Sequence, residues 1–236
     1  DEVRIKFYRK SKLQTTTMTL LPRQKETSED FNIIYSSVLS GNNHLRTIIT
    51  KPKTGNIFPA VLLIGGVGCY RIDNTSLQEI RSIKMWADSL ARNGFVTIRI
   101  DKTGMGDSQG IPCDECDFKT EKQGFLDGLK QLKSLPYVDQ KNIFIAGFSI
   151  GGVIAPLIAQ EEHVKGIIVY GTVGRNWFEY ELDNSYRQQL LAGQSADSID
   201  QFMRAEYIRL YEFLVKKKLP EQIIKEHPET KNNFFG

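Results

Sequence analysis

Hydrophobic positions follow three successive rhythms along the chain. In residues 1–23, Val3, Ile5 and Phe7 alternate with Arg4, Lys6 and Tyr8, the two-residue period of a half-buried strand. Arg9 to Lys12 supply a polar turn, and Gln14 to Leu21 are threonine-rich and β-prone. This pattern predicts a hairpin, and because two strands alone are marginal in water it needs a partner. Pro22 to Asp30 are polar and charged and read as a linker. Ile33 to Leu39 and Leu45 to Thr50 then flank Gly41-Asn42-Asn43, residues that accept a positive φ in a tight turn, so a second hairpin is expected.

From Phe58 the rhythm changes to strands alternating with helices. Ala60 to Ile64 is a short apolar run ending in Gly65-Gly66, the mark of a buried strand. Leu77 to Arg92 carries Ile80, Ile83, Ala87 and Leu90 on one helical face, with Gly94 ending the helix before a strand at Phe95 to Ile100. Phe118, Phe125, Leu129 and Leu132 mark a second helix, closed by Pro136. Asn142 to Ala146 reads as a strand, Gly151 to Gln160 as a helix and Gly166 to Tyr170 as a further buried strand. Repeated strand–helix–strand units predict an α/β fold, a mainly parallel sheet with helices on both faces. After Gly171 the alternation stops. Ile199, Phe202, Met203, Tyr207, Leu210, Tyr211 and Leu214 form a helical stripe, and no further strand run precedes Gly236.

Composition narrows the class of protein. Of 236 residues, 40% are hydrophobic and 25% charged, an ordinary globular balance that argues against disorder. The longest apolar run, Ala60 to Gly66, is far short of the ~20 residues of a membrane-spanning helix. The start carries no basic segment leading into an apolar one. The net charge of +3 is spread along the chain and no nucleic-acid motif appears, while Lys216 to Lys218 read as a solvated helix face. Three cysteines are too few for a disulfide scaffold. Cys113 and Cys116 form a lone C-x-x-C that cannot complete a four-ligand zinc site, with Cys69 distant in sequence. They are read as inert thiols ahead of a local disulfide, with metal last, so no metal and no cofactor is expected.

The chemistry concentrates in Gly147-Phe148-Ser149-Ile150-Gly151-Gly152, which follows the apolar strand and opens a helix. A G-x-S-x-G in that context is a nucleophile elbow: a serine on a sharp turn, its hydroxyl projecting into a cleft and the helix N-terminus behind it. Ser149 is therefore the expected nucleophile. After the earlier strand, Gly65-Gly66-Val67-Gly68 would let a main-chain N–H form half of an oxyanion hole, with the N–H of Ile150 as the other half. A dinucleotide fingerprint fits poorly, because the third glycine of G-x-G-x-x-G is missing.

These stretches, together with Arg99-Ile100-Asp101 and Gly104-Met105-Gly106-Asp107-Ser108-Gln109-Gly110, resemble the α/β-hydrolase superfamily, in its branch of serine esterases and prolyl-oligopeptidase-like peptidases. The resemblance spans about residues 45–172. It implies Ser149 as nucleophile and the N–H groups of Val67 and Ile150 as oxyanion donors, with Gly65 standing where the family's histidine would be. Gly66, Tyr70, Phe148 and Trp177 are expected to line the cleft, and Asp101 and Asp107 to brace their loop. Residues 1–23 resemble the closing strands of a PDZ domain; the alternative is a β-extension of the main sheet. The division expected is thus a β-hairpin segment (1–23), a hydrolase core (24–174) and a helical lid or cap (175–236).

The resemblance also implies a triad acid and a histidine after two further strands, and neither strand is visible. His44 falls in the hairpin turn, His163 before a strand, and His227 in the polar tail; Glu179 and Asp183 follow the last strand. The expectation is that the chain stops inside the lid, with acid and base beyond residue 236 and the fragment itself inactive or nearly so. The implied activity is cleavage of a small-molecule ester, a thioester or a peptide bond through an acyl-serine. The alternatives are an acyltransferase using the same site, or a non-catalytic scaffold whose N-terminal strands recruit a peptide.

Overall fold

The computed structural model describes residues 2–20, 25–73 and 81–234. β1 (Glu2–Arg9) and β2 (Lys12–Thr19) form the expected hairpin as a separate two-stranded sheet. It turns through Lys10 and Ser11 at φ 50° and 59°, the doubly positive geometry that matches strand twist. β3 (Phe31–Ser40) and β4 (Asn43–Pro52) make the second hairpin around Gly41. There follow β5 (Phe58–Ile64), α1 (Arg81–Arg92), β6 (Val96–Ile100), α2 (Phe118–Ser134), β7 (Val138–Phe148), α3 (Ile150–Glu161) and β8 (Gly166–Tyr170). The remainder is helical: α4 (Trp177–Leu191), α5 (Ala196–Leu210), α6 (Pro220–Glu226) and α7 (Lys231–Phe234), with a π-helical turn at Tyr211–Val215. Leu77 to Ile80, expected to begin the first helix, and Pro22 to Gln24 of the linker lie outside the described residues.

Six strands pair in the order β3-β4-β6-β5-β7-β8. The sheet is mixed, antiparallel at β3–β4–β6 and parallel where β5 meets β6. By contacts the chain divides into two compact units, Asp1–Ile64 with Gly68–Ile145 and Ile158–Gly166, and Gly65–Val67 with Ala146–Leu157 and Ile167–Gly236.

In the first unit, strand alternation assigns helices to opposite faces. Thr47 pairs with Ile100 and Ile49 with Ile98, so Leu45, Ile98 and Ile100 share one face. α2 packs there: a side chain on Gly124 would meet Leu45 and one on Gly128 would meet Ile100. Phe118, expected on the buried stripe, is exposed, because it is the first helical residue after the Asp117 cap, whose carboxylate accepts the Thr120 N–H at 2.7 Å. The other face carries Ile48, Thr50, Thr97 and Arg99. α1 covers it, and Thr50 Oγ1 lies 3.4 Å from the Ala87 carbonyl.

That second face buries charge. The Arg99 guanidinium, fully buried, donates to Glu26 at 2.7 and 3.1 Å and to the Ile72 carbonyl at 3.0 Å. Arg46 donates to both oxygens of Asp73 at 2.7 and 2.8 Å and, through Nε, to Asp101. Burial opposes the Arg46 charge, but these carboxylates outweigh it and push its pKa above the usual value. Burial raises Asp101, against the pull of Arg46 and of the Ile72 N–H, which donates to it at 2.8 Å. Asp107 adds a longer contact to Arg46, 3.6 Å. The two aspartates thus brace their loop, as expected. One cysteine expectation is corrected: Cys113 is neither an inert thiol nor paired with Cys116, but disulfide-bonded to Cys69, 44 residues away, leaving Cys116 free. Sequence distance misled because the loop after β5 and the loop after β6 fold back to the same place.

The second unit holds the end of β7, the start of α3, most of β8 and the C-terminal helices. α4 and α5 pack as a pair, with Phe178 edge-on to Tyr207 at 5.4 Å. Burial works against the Glu206 charge, yet Arg209, Asn233 and Ser185 hold its pKa below the ordinary range. β8 departs from expectation. Its apolar residues are exposed, Ile168 by 54% and Tyr170 by 64%, because it is last in the strand order and no strand lies beyond it among the described residues. Lys216 and Lys218 are also more than a solvated face, both binding Glu212 (2.7 and 2.6 Å), and Lys218 reaching Glu226 as well (2.5 Å).

Two outcomes follow. Arg99→Met should cost about 3–5 kcal/mol by leaving Glu26 buried and uncompensated, and adding Glu26→Leu should recover much of it, as read by urea unfolding. Lys216 and Lys218 hold the Glu212 carboxyl at about 2, below its unfolded value. Its contribution is therefore complete above roughly pH 4.5 and is lost as pH falls towards 2. Melting curves over that range should show the loss, and Glu212→Gln should remove it.

Candidate active site

β7 runs straight into α3 with one residue between them, Ser149. Ser149 has φ 55°, a left-handed conformation that a non-glycine residue holds only when its surroundings enforce it. Its own N–H donates to the Tyr170 carbonyl at 3.0 Å, and its carbonyl accepts from the Gly152 N–H at 2.9 Å. The sterics explain the flanking glycines. A Cβ on Gly147 would collide with the Gly151 carbonyl, and one on Gly152 would come within 2.5 Å of the Thr172 side chain. The chain can turn this sharply only where those positions lack side chains.

Gly66 brings the second sequence feature to the same place. A Cβ built on it would touch the Ser149 Cβ and the Phe148 ring, each at 3.5 Å. Gly65 and Gly66 are buried, whereas Val67, the next residue, is 73% exposed. Ile150 is the first residue of α3, so its N–H is among the helix donors that no intrahelical carbonyl reaches. The first turn of α3 carries no acidic residue, leaving the positive end of the helix dipole beside Ser149 unopposed from within the turn. Phe148 stacks on Tyr170, centroids 5.7 Å apart, and its ring also flanks Gly171.

Gly66, Phe148, Ser149 and Ile150 are thus gathered at one turn, with Val67 next in the chain. Tyr70 belongs to the first unit, its ring under the Lys102 ammonium at 5.6 Å. Trp177 opens α4 against Tyr180, 5.3 Å between centroids. The sequence reading passed over Tyr170, Gly171 and Thr172, which close the turn from the β8 side. Gly171, at φ 58° directly after an apolar strand, is the signal that could have found them. The histidines lie elsewhere. The His44 ring faces Ser37 Oγ at 3.4 Å, His227 faces Glu229 at 3.7 Å, and His163 precedes β8. Asp183 pairs with Arg175 at 2.5 Å, and Glu179 gives its N–H to the Asn176 cap of α4.

Known proteins resemble this chain in sequence and in fold. Esterase EstD of Thermotoga maritima is 26% identical over 180 residues, 75% of this chain and 40% of EstD. A thiohydrolase of Eupenicillium brefeldianum is 30% identical over 97 residues, 41% of this chain and 29% of that protein. The chain therefore spans less than half the length of these curated relatives. A crystal structure of a hypothetical protein from Pseudomonas aeruginosa shares the fold with a TM-score of 0.56 at 20% identity, covering 76% of this chain and 61% of that one. The structure of DcsB with its substrate analogue does so at 0.51 and 21% identity, covering 70% and 56%. The family model for the serine aminopeptidases S33 matches residues 78–195, half of the chain and the half that contains the Ser149 turn. On that match the chain belongs to the serine aminopeptidase S33 family of α/β hydrolases.

Proposed function

We propose that this chain carries the nucleophile and oxyanion hole of a serine hydrolase that cleaves small-molecule esters or thioesters through an acyl-serine. The observation that carries the reading is the left-handed Ser149 between strand and helix. Strain of this kind persists where the fold over-determines it, and a serine on a strand-to-helix turn is the arrangement that presents a hydroxyl beside a helix N-terminus. The relatives' names, an esterase and a thiohydrolase, support the ester and thioester classes.

In the proposed reaction the Ser149 Oγ attacks the substrate carbonyl carbon while a general base removes its proton. The carbonyl electron pair moves to oxygen, and the N–H groups of Val67 and Ile150 donate to that oxyanion. Collapse of the tetrahedral intermediate expels the alcohol or thiol, which takes the proton back. Water then repeats the sequence on the acyl-serine and frees the acid. The base and its orienting acid are left unassigned: the His44 ring faces Ser37, His227 faces Glu229, and His163 precedes β8. α4 to α7 are assigned to a cap, supported by the groove of about 670 Å3 between α4 and α5, lined by Leu182, Tyr186, Met203 and Tyr207 together with the polar Asp183 and Asp200.

A fluorophosphonate probe on the full-length protein should label Ser149, located by peptide mass spectrometry. Ser149→Ala should abolish the label and lower kcat by about 10⁴-fold or more. An unlabelled Ser149, or undiminished turnover by Ser149→Ala, would refute the mechanism.

The elbow sterics give a separate check. Gly147→Ala and Gly152→Ala should each cost about 1–3 kcal/mol in denaturant unfolding. Thr172→Gly should recover stability only for Gly152→Ala, because Gly147 is opposed by backbone.

A further inference from the structure

All three cysteines lie where two loops of the first unit converge. Cys69, in the loop after β5, is exposed and bonded to Cys113, in the loop after β6. Cys116 carries a free thiol. Cys113 opens a 3-10 turn, Cys113–Glu115, and the Cys116 N–H closes it by donating to the Cys113 carbonyl at 3.2 Å. A turn closed in this way keeps its first and last α-carbons within about 7 Å, and a disulfide spans about 4.4–6.8 Å between α-carbons. Cys113 therefore has two partners within reach, Cys69 across the loops and Cys116 across the turn.

Neither loop depends on the Cys69–Cys113 bond alone. On the Cys113 side, the Thr103 hydroxyl donates to the Gln109 and Ile111 carbonyls, each at 3.1 Å. Gly104, at φ 66°, lies so close to Ile111 and Pro112 that a Cβ would come within 2.6 Å of the Ile111 carbonyl. Beyond Cys116, Asp117 caps α2 by accepting the Thr120 N–H at 2.7 Å. The turn that holds Cys113 and Cys116 is thus fixed at both ends. On the Cys69 side, Tyr70 lies under the Lys102 ammonium, the Ile72 N–H donates to Asp101 at 2.8 Å, and Asp73 accepts from Arg46. The bond can pass from Cys69 to Cys116 with these anchors in place.

We propose that Cys69 is a thiol-modification site opened from within the chain: Cys116 takes over the bond to Cys113, and the released Cys69 is capped by a small disulfide. In the first step the Cys116 proton goes to water, the Cys116 sulfur bonds to the Cys113 sulfur, and the Cys69–Cys113 bond breaks with its electron pair left on Cys69. One disulfide replaces another and no oxidant is consumed. In the second step the Cys69 thiolate attacks the small disulfide, forming a mixed disulfide and releasing a small thiolate that takes up the proton. Cys116 turns toward Cys113 from its resting contact with the Asp117 carbonyl, 3.4 Å from the sulfur. The charged groups around it are Asp101, Lys102 and Glu121, which line the same pocket, and Asp114, Glu115 and Asp117 beside it in the chain. Burial first, then Glu121 and Asp117, push the Cys116 thiol up, against Lys102. The attacking thiolate is therefore scarce at neutral pH and grows as pH rises. Ser149 takes no part in this chemistry.

The test incubates the oxidised full-length protein with glutathione disulfide, stops exchange with acid, alkylates the unfolded chain with N-ethylmaleimide and locates each cysteine by peptide mass spectrometry. The wild type should gain a mixed disulfide at Cys69 together with a Cys113–Cys116 bridge. Its rate should rise about tenfold per pH unit between pH 7 and 9. Cys116→Ser, which keeps the Cys69–Cys113 bond, should be capped at Cys69 at least tenfold more slowly. Cys69→Ser, oxidised with the same reagent, should form the Cys113–Cys116 bridge, a check on the reach of the turn by itself. The relay is overturned if the wild type is capped at Cys116 instead of Cys69, or at neither. It is equally overturned if Cys116→Ser is capped at Cys69 as fast as the wild type, or if Cys69→Ser forms no bridge.

Discussion

Arg46 is the charge around which the first unit is arranged. It is buried in β4 and reaches two carboxylates from different parts of the chain, Asp101 at the end of β6 and Asp73 in the loop after β5. Such a cation is tolerable in a low-dielectric interior only when its donors are satisfied, and the carboxylates only when the cation is present. The group therefore stands or fails as a whole. Its effect is to tie Asp73, in the loop after β5, to the strands. Arg99 repeats the device one strand over, holding Glu26 and the Ile72 carbonyl.

The turn at Ser149 works by exclusion instead. Gly147 and Gly152 leave no room for side chains, and Tyr170 takes up the Ser149 N–H. What remains to project is the Ser149 side chain, with the N-terminus of α3 behind it. The two devices meet along one stretch of sequence: Gly66 is pressed against Ser149, while Cys69 to Asp73 carry the anchors.

Much of this was legible in the residues. The second hairpin, the alternation from β5 to β8 and the strand–serine–helix junction are written in hydrophobic period and in glycine spacing, which act locally. β1 and β2 were also visible, although Lys10-Ser11 gives no glycine signal for its left-handed turn. What escaped depends on contacts between distant segments. Arg46 sits in an otherwise β-prone run, and nothing nearby names Asp73 as its partner. Cys113 and Cys116, three residues apart, read as inert thiols ahead of a local disulfide, and the bond to Cys69 is hidden because proximity in sequence is a poor guide once two loops converge. Tyr170 acts through its carbonyl, which side-chain identity cannot reveal.

β8 has a consequence of a different kind. Its residues Ile167 to Tyr170 are apolar on both faces, and it carries none of the lysines, prolines or bulges with which natural sheets guard a terminal strand. The opposite end of the order, β3, interleaves Asn32, Ser36, Ser37 and Ser40 with its apolar residues and reads as a strand made to face water. Wherever the outer side of β8 is left open, it offers a sticky template for another chain. Colloidal behaviour, such as yield, self-association and fibril seeding, would then be governed by that one pentapeptide sooner than by the protein's net charge.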